Sequence, residues 1–139
     1  MLSETKQYEE KVRDSLRKYF ENLGEKVKVE NQWVPFRGEA VSKYSPRVDV
    51  AVGPFAYGTK QYIQRYNKLT KVSREFLNNL LRSFKANSTD FSFETEIPVD
   101  CELLNDVNPN ARCFMAIEIE KSGTRKHRLG DIVNACSLG

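Results

Sequence analysis

Apolar residues recur every three or four positions in three stretches of the chain, which is the spacing of one face of an α-helix. The first stretch predicts a helix that ends at Gly24, a residue type common just after helices. Its buried stripe is expected to be Tyr8, Val12, Leu16, Phe20 and Leu23. The second stretch, residues 62–84, predicts one long amphipathic helix whose Asn and Lys residues face outward.

The third stretch predicts a helix near the end of the sequence. Thr124 is a residue type that caps helix N-termini, and Gly139 is expected to close the helix. The stripe that this helix is expected to bury is Leu129, Ile132, Val133 and Cys136.

Short apolar or alternating runs lie between these helices and predict strands. Residues 27–36 predict a strand followed by a turn. Residues 47–53 and 112–120 each predict a strand that is apolar on both faces, as in the middle of a sheet. Residues 91–97 alternate apolar and polar side chains, so we expect a half-exposed strand that Pro98 confines to an edge. Residues 105–110 are typical of a loop. The pattern indicates an α/β fold in the order helix, strand, strand, strand, helix, with an inserted helical segment.

The amino-acid composition is typical of a single water-soluble domain. The 139 residues are 40% apolar and 29% charged, and they suit a single domain over residues 1–139. The sequence has no apolar stretch long enough for a membrane span or a signal core, so we expect an intracellular, cytoplasmic protein with no membrane partner. Its cysteines, at positions 101, 113 and 136, form no CxxC pair and are expected to be buried thiols.

The net charge of +3 is unevenly distributed. Residues 60–86 hold seven Lys or Arg against one Glu, residues 87–120 hold eight Asp or Glu against one Arg, and residues 121–139 are basic again. We therefore treat residues 60–87 as a basic helical insertion. This distribution suits a site that attracts phosphate around a cation, and a plain solvated helix face explains the insertion equally well.

Three carboxylates in the apolar strands are the candidate chemistry. Glu118 and Glu120 alternate with apolar residues and are expected to share one strand face, about 7 Å apart. If the strand of Asp49 lies alongside, the three acids form a cluster of hard oxygen ligands suited to Mg²⁺ or Mn²⁺. Lys121 is the nearest residue that can relieve their mutual repulsion. The alternative is that these acids lie at solvated strand ends or form surface salt bridges.

These residues resemble the PD-(D/E)XK nucleases, a superfamily that includes restriction endonucleases and Holliday-junction resolvases. The resemblance rests on Pro46 and Asp49 in one strand and Glu118 in the next, with Glu120 at the position that usually holds Lys. It implies a restriction-endonuclease-like core with metal ligands on its second and third strands. It also implies divalent-metal-dependent hydrolysis of DNA, with Asp49, Glu118, Glu120 and Lys121 as catalytic residues.

Two further groups are candidates for the same chemistry. Related nucleases often place a Glu of the first helix near the metal, and Glu9 suits that role better than Glu10, although acids there also complement the helix dipole. Four residues with basic side chains open the last helix, where backbone N–H groups also attract phosphate. They are Arg125, Lys126, His127 and Arg128. His127 is either a proton-transfer group or, more commonly for a helical histidine, a surface or phosphate-contacting residue.

The superfamily core has a fourth strand after the last helix, and this sequence shows none. Either the chain is a fragment of a longer polypeptide, or another chain, such as a second copy in a homodimer, supplies the strand. The sequence thus predicts a metal-dependent endonuclease that acts on DNA. Because Glu120 stands in place of Lys, a nucleic-acid-binding module without catalytic activity is an alternative function. A structural subunit of the same fold is a third.

Overall fold

The computed structural model describes residues 3–35, 46–55, 60–88, 111–120 and 125–138. These ranges contain four helices and three strands, in the order α1 (Glu4–Asn22), β1 (Val29–Trp33), β2 (Val48–Val52), α2 (Lys60–Val72), α3 (Arg74–Ser88), β3 (Met115–Ile117) and α4 (Arg125–Leu138). The predicted strand at 91–97, the loop at 105–110 and both ends of the last helix, Thr124 and Gly139, lie outside them. None of the described helices has the length and apolar character that crossing a membrane requires.

The three strands form one antiparallel sheet in the order β1-β2-β3. Val29 pairs with Val52 and Trp33 with Val48 across the first pair of strands, and Val50 pairs with Ile117 across the second. The middle strand is accordingly the most buried, since four of its five residues are inaccessible to solvent. The chain therefore has the predicted mixed α/β fold, with helices packed on a central sheet.

Apolar side chains on the two faces of the sheet build two core clusters. On one face, Val50 and Val52 pack with Leu16 and Phe20 of α1 and with Leu69 of α2. A second cluster, which includes Ala51 of the opposite face, joins Trp33, Val48 and Cys113 with Leu138, the last residue of α4. The sheet is thus covered by α1 and α2 on one side and by the end of α4 on the other.

Helix α1 forms where its apolar stripe predicts it. The Ser3 side chain caps its first turn by accepting a hydrogen bond from the backbone N–H of Lys6, and Gly24 follows its end with a positive φ of 73°. The middle of the stripe is buried, but Tyr8 is 57% exposed and Leu23 39% exposed. The sequence was therefore right about the helix and wrong about the two ends of its buried face.

The long helix predicted over residues 62–84 is instead two helices that meet at Ser73. The Ser73 hydroxyl donates a 2.6 Å hydrogen bond to the backbone carbonyl oxygen of Leu69. The Thr70 hydroxyl donates a 3.0 Å hydrogen bond to the backbone carbonyl oxygen of Tyr66. Hydroxyl groups that bond back to the preceding turn bend helices, which explains the break. The prediction that the Asn residues face outward is also wrong at Asn78, which is buried.

The C-terminal elements depart furthest from the prediction. Strand β3 covers only Met115–Ile117, so the strand predicted over residues 112–120 is too long. Helix α4 is present, but the stripe that it was expected to bury is exposed at Leu129 (63%), Ile132 (59%) and Val133 (55%). The helix is held by its last residue instead, because the carbonyl oxygen of Leu138 accepts hydrogen bonds from the backbone N–H groups of Arg112 and Cys113.

Candidate functional site

The candidate site lies where Gln32 of β1 and Asp49 of β2 face each other. These residues occupy the positions between the Asn31–Val50 and Trp33–Val48 pairs. The Gln32 side-chain amide donates one hydrogen bond to Asp49 Oδ1, at 2.9 Å, and another to Glu9 Oε2 of α1, at 3.0 Å. One amide group therefore joins carboxylates from two different elements.

The backbone at Gln32 is as unusual as its side chain. Its φ is 51°, in the left-handed region that costs a non-glycine residue about 1 kcal/mol. Val29 packs with the α1 cluster, and Trp33, four residues further along, packs with the α4 cluster. On β2, Val50 and Val48 divide between the same two clusters, so the core passes from one cluster to the other beside the two carboxylates.

Glu9 is buried although it belongs to an amphipathic helix. Only 6% of it is accessible, whereas its neighbour Glu10 is exposed. A buried carboxylate needs a donor, and the amide of Gln32 supplies one. The preference for Glu9 over Glu10 as the additional acid agrees with this geometry.

Glu118 reaches the site from the segment that follows β3. Its Oε2 accepts a 3.3 Å hydrogen bond from the backbone N–H of Asp49, and Asp49 Oδ2 accepts one of 2.8 Å from the backbone N–H of Ile119. Each carboxylate thus binds the other segment's backbone. This reciprocal pairing fixes both side chains at one end of the sheet.

The surroundings of Glu118 favour its neutral form. Burial, reinforced by the negative charges of Asp49 and of Asp131 on α4, raises the pKa of Glu118 to about 7. Its second oxygen, Oε1, is buried without a hydrogen-bond partner among the described residues. A proton or a cation at this oxygen would satisfy it.

Two other predicted site residues do not join this pair in the described part of the chain. Glu120 is exposed and lines a cavity beside the start of α1, and Lys121 lies outside the described residues. The basis for placing Glu118 and Glu120 on one strand face is wrong, because β3 ends at Ile117. No three His, Cys, Asp or Glu side chains within the described ranges form a group that could hold a metal ion.

The predicted phosphate-binding residues are described only in part. Arg125, Lys126 and His127 open α4 as predicted, but their side chains lie outside the description, and Arg128 is exposed. In the basic insertion, Arg65 and Lys68 bind the carboxylate of Glu25 at 2.6 and 2.7 Å. That carboxylate is 6% accessible, so two of the cations in the insertion have a structural role.

Sequence reasoning missed Gln32 and Asp131. Gln32 occurs in the polar run Val-Glu-Asn-Gln-Trp, where nothing marks its left-handed backbone, because that conformation favours Gly or Asn. Nothing in the sequence distinguishes Asp131 from other acidic residues in helices; its effect on the pKa of Glu118 arises from the position of α4 in the fold.

The arrangement offers two chemical capacities. A carboxyl group with a pKa near neutrality accepts or donates a proton at physiological pH. Carboxylate and amide oxygens also suit hard divalent cations.

Comparison of the chain with protein-family models, with curated proteins and with solved structures yields no match in any of the three.

Proposed function

We propose that this protein is a divalent-metal-dependent endonuclease that hydrolyses DNA phosphodiester bonds. One observation carries the proposal: Asp49 and Glu118, two acids far apart in sequence, are held together by reciprocal hydrogen bonds while one Glu118 oxygen stays buried and unpaired among the described residues. Most buried polar atoms in proteins have a hydrogen-bond partner, so an unpaired carboxylate oxygen next to a second carboxylate suits a ligand.

The donor set is compatible with Mg²⁺ or Mn²⁺. Asp49 and Glu118 would hold the cation, because both supply hard oxygens and because burial, together with the charge of Asp49, raises the pKa of Glu118. Glu9 lies outside the pair that would hold the cation and is linked to Asp49 through the amide of Gln32. When bound, such a cation polarises the phosphate and stabilises the charge that develops on its oxygens.

The residues of the chain divide the remaining work. Gln32 orients Glu9 and Asp49, and the backbone N–H of Ile119 holds the other Asp49 oxygen. Glu118 would give up its proton when a cation binds and would then supply a second carboxylate to that cation. Glu120, at the surface beside this cluster, positions water or a second ion, and the cations at the start of α4, together with Lys121, attract the phosphate backbone.

At the finer level of fold, we propose a restriction-endonuclease-like core. The order α1-β1-β2-β3-α4, with α2 and α3 inserted before β3, is compatible with it, as is the antiparallel sheet. The sequence resemblance implies metal ligands on the second and third strands; Asp49 lies on the second strand, and Glu118 directly follows the end of the third.

The test is cleavage of plasmid, branched and single-stranded DNA with Mg²⁺ or Mn²⁺. Asp49→Asn and Glu118→Gln keep the shape of each side chain and remove its charge, so both are expected to abolish cleavage. Glu10→Gln removes an exposed carboxylate from the same helix as Glu9 and is expected to cut like the wild type. Cleavage that survives both site changes contradicts the proposal.

A nucleic-acid-binding module without catalytic activity is the second candidate. It is favoured by Glu120, which stands where the resembling family usually has Lys and lies at the surface. Binding of the same DNA substrates without cleavage, unchanged by Asp49→Asn, would support it over the nuclease.

A further inference from the structure

A cavity of about 490 Å³ opens beside the carboxylate site. Its walls come from the first two turns of α1 and from the segment after β3. The residues that the argument uses are Glu4, Thr5, Tyr8, Lys11, Ile119 and Glu120. Ile119 also belongs to the candidate site, since its backbone N–H binds Asp49. The cavity and the carboxylates therefore adjoin, and a molecule that enters one lies next to the other.

Tyr8 is the feature of this cavity that calls for an occupant. The apolar stripe of α1 predicts that Tyr8 is buried, but 57% of it is accessible. Residues four positions apart share a helix face, so Glu4 and Tyr8 line the cavity together, with Lys11 one turn further along. An exposed aromatic ring in a cavity of this size offers a flat surface to a planar ligand.

The charges around the cavity distinguish between parts of a nucleotide. Acidic oxygens of Glu4 and Glu120 and the apolar parts of Tyr8 and Ile119 line the cavity, and such a lining suits a neutral, flat group better than a phosphate. A nucleobase is neutral, and its amino groups donate hydrogen bonds to carboxylate or hydroxyl oxygens such as those of Glu4, Glu120 and Thr5. Lys11, exposed on the same helix face, is suited to the phosphate next to that base.

We propose that this cavity binds an unpaired nucleobase stacked on Tyr8, so that the substrate of the adjoining carboxylate site contains single-stranded DNA. The inference rests on the proposed nuclease function, whose substrate class it specifies. Bases within an intact duplex are already stacked on their neighbours and have no free face for Tyr8. A single strand, a frayed end or a branch offers that face without the cost of unpairing.

The experiment is fluorescence anisotropy with a short fluorescein-labelled single strand, the same strand in a blunt duplex, and the same strand without its bases. EDTA is present throughout, so the result depends on neither cleavage nor metal. The Tyr8→Ala variant is expected to bind the single strand about 5- to 100-fold more weakly than the wild type, because the base loses the ring on which it stacks. Tyr8→Phe keeps the ring and is expected to bind like the wild type. Ile63→Ala removes an exposed apolar side chain on α2, outside the cavity lining, and serves as the matched control.

The strand without bases tests the same idea with the unaltered protein. The wild type is expected to bind it as weakly as Tyr8→Ala binds the complete strand. Equal affinity of the wild type for the two strands, or equal weakening of single-strand and duplex binding by Tyr8→Ala, would overturn the inference. Plasmid cleavage is scored separately: a protein that cuts DNA but shows no Tyr8 effect refutes only this inference, and one that stacks bases without cutting refutes only the nuclease.

Discussion

Replacing Glu118 with Gln should stabilise the protein at alkaline pH while abolishing its proposed activity. The pKa of Glu118 is raised in the folded state, so the fold favours the protonated carboxyl group. Its favourable contribution is present at low pH and is lost as the pH rises from the ordinary value of 4.5 to about 7. Above that pH the wild type carries an ionised carboxylate beside Asp49 and Asp131, whereas Gln carries no charge.

The size of the effect follows from the two pKa values. A change from 4.5 to about 7 corresponds to about 3 kcal/mol in the free energy of unfolding. Glu118 is only half-buried, and solvent that reaches it screens the repulsion, so we expect about 1–2 kcal/mol. The Gln side chain keeps an oxygen for the backbone N–H of Asp49, so the existing hydrogen bond survives the change.

The assay is urea unfolding of the wild type and Glu118→Gln in EDTA, at about pH 5 and about pH 8. The two proteins should have similar stability at the lower pH, and the variant should be more stable at the higher pH. Glu10→Gln, which changes an exposed carboxylate, should follow the wild type at both. Adding Mg²⁺ at about a hundred times its dissociation constant should stabilise the wild type by about 2.7 kcal/mol and leave Glu118→Gln unchanged.

Two results would refute this reasoning. If Glu118→Gln lowers stability by the same amount at both pH values, the carboxylate is a structural hydrogen-bonding group and not a strained one. If the variant gains stability as expected but Mg²⁺ stabilises neither protein, the electrostatic account survives and the metal proposal fails.

Three further changes test other parts of the structure. In urea unfolding, Gln32→Gly should be more stable than Gln32→Ala by about 1 kcal/mol, because Gly adopts a φ of 51° without strain. This order is the reverse of the usual preference in strands. Equal stabilities of the two variants would contradict the left-handed backbone. Glu25→Gln should lower the free energy of unfolding by about 1–3 kcal/mol near neutral pH. This loss should shrink in acid, because the hydrogen bond from Lys68 and the charge of Arg65 lower the pKa of Glu25, and the contribution of Glu25 disappears as the pH falls through that pKa. A loss that persists in acid would argue against the ion pairs. Burial raises the pKa of Cys113 to about 12, so its thiol should react slowly in the folded protein. In a Cys101→Ser, Cys136→Ser background, a thiol reagent should therefore react slowly without urea and rapidly in urea. Rapid reaction of the folded protein would show that the thiol is accessible.

The sequence predicted the elements whose apolar patterns are strong and local. Leu16 and Phe20 lie in the buried stripe of α1, and the run around Val50 forms the buried middle strand, because in both cases packing follows the period of the backbone. The break at Ser73 was missed because apolar spacing carries no information about hydroxyl groups that bond back to the preceding turn. The exposed stripe of α4 shows the same limit, since a pattern predicts which residues can be buried but not what covers them.

The candidate site was predictable at Asp49 and Glu118, where a charge interrupts an apolar segment, and the structure brings these two together. The predicted place of Glu120 beside Glu118 depended on a strand that continues past Ile117, and β3 ends there. The role of Gln32 could not be predicted, because it arises from one amide that reaches two elements at once. Tertiary contacts of that kind leave no periodic signal in the sequence.

The left-handed turn of the backbone at Gln32 also bears on any attempt to transplant this acidic cluster into another scaffold. Copying Glu9, Asp49 and Glu118 onto a regular sheet would leave out the side-chain amide that joins two of them and the backbone conformation that presents it. Without that donor, the carboxylate on the helix would be buried with no hydrogen bond. A faithful graft therefore has to carry five residues of backbone, Val29–Trp33, and not just three acids.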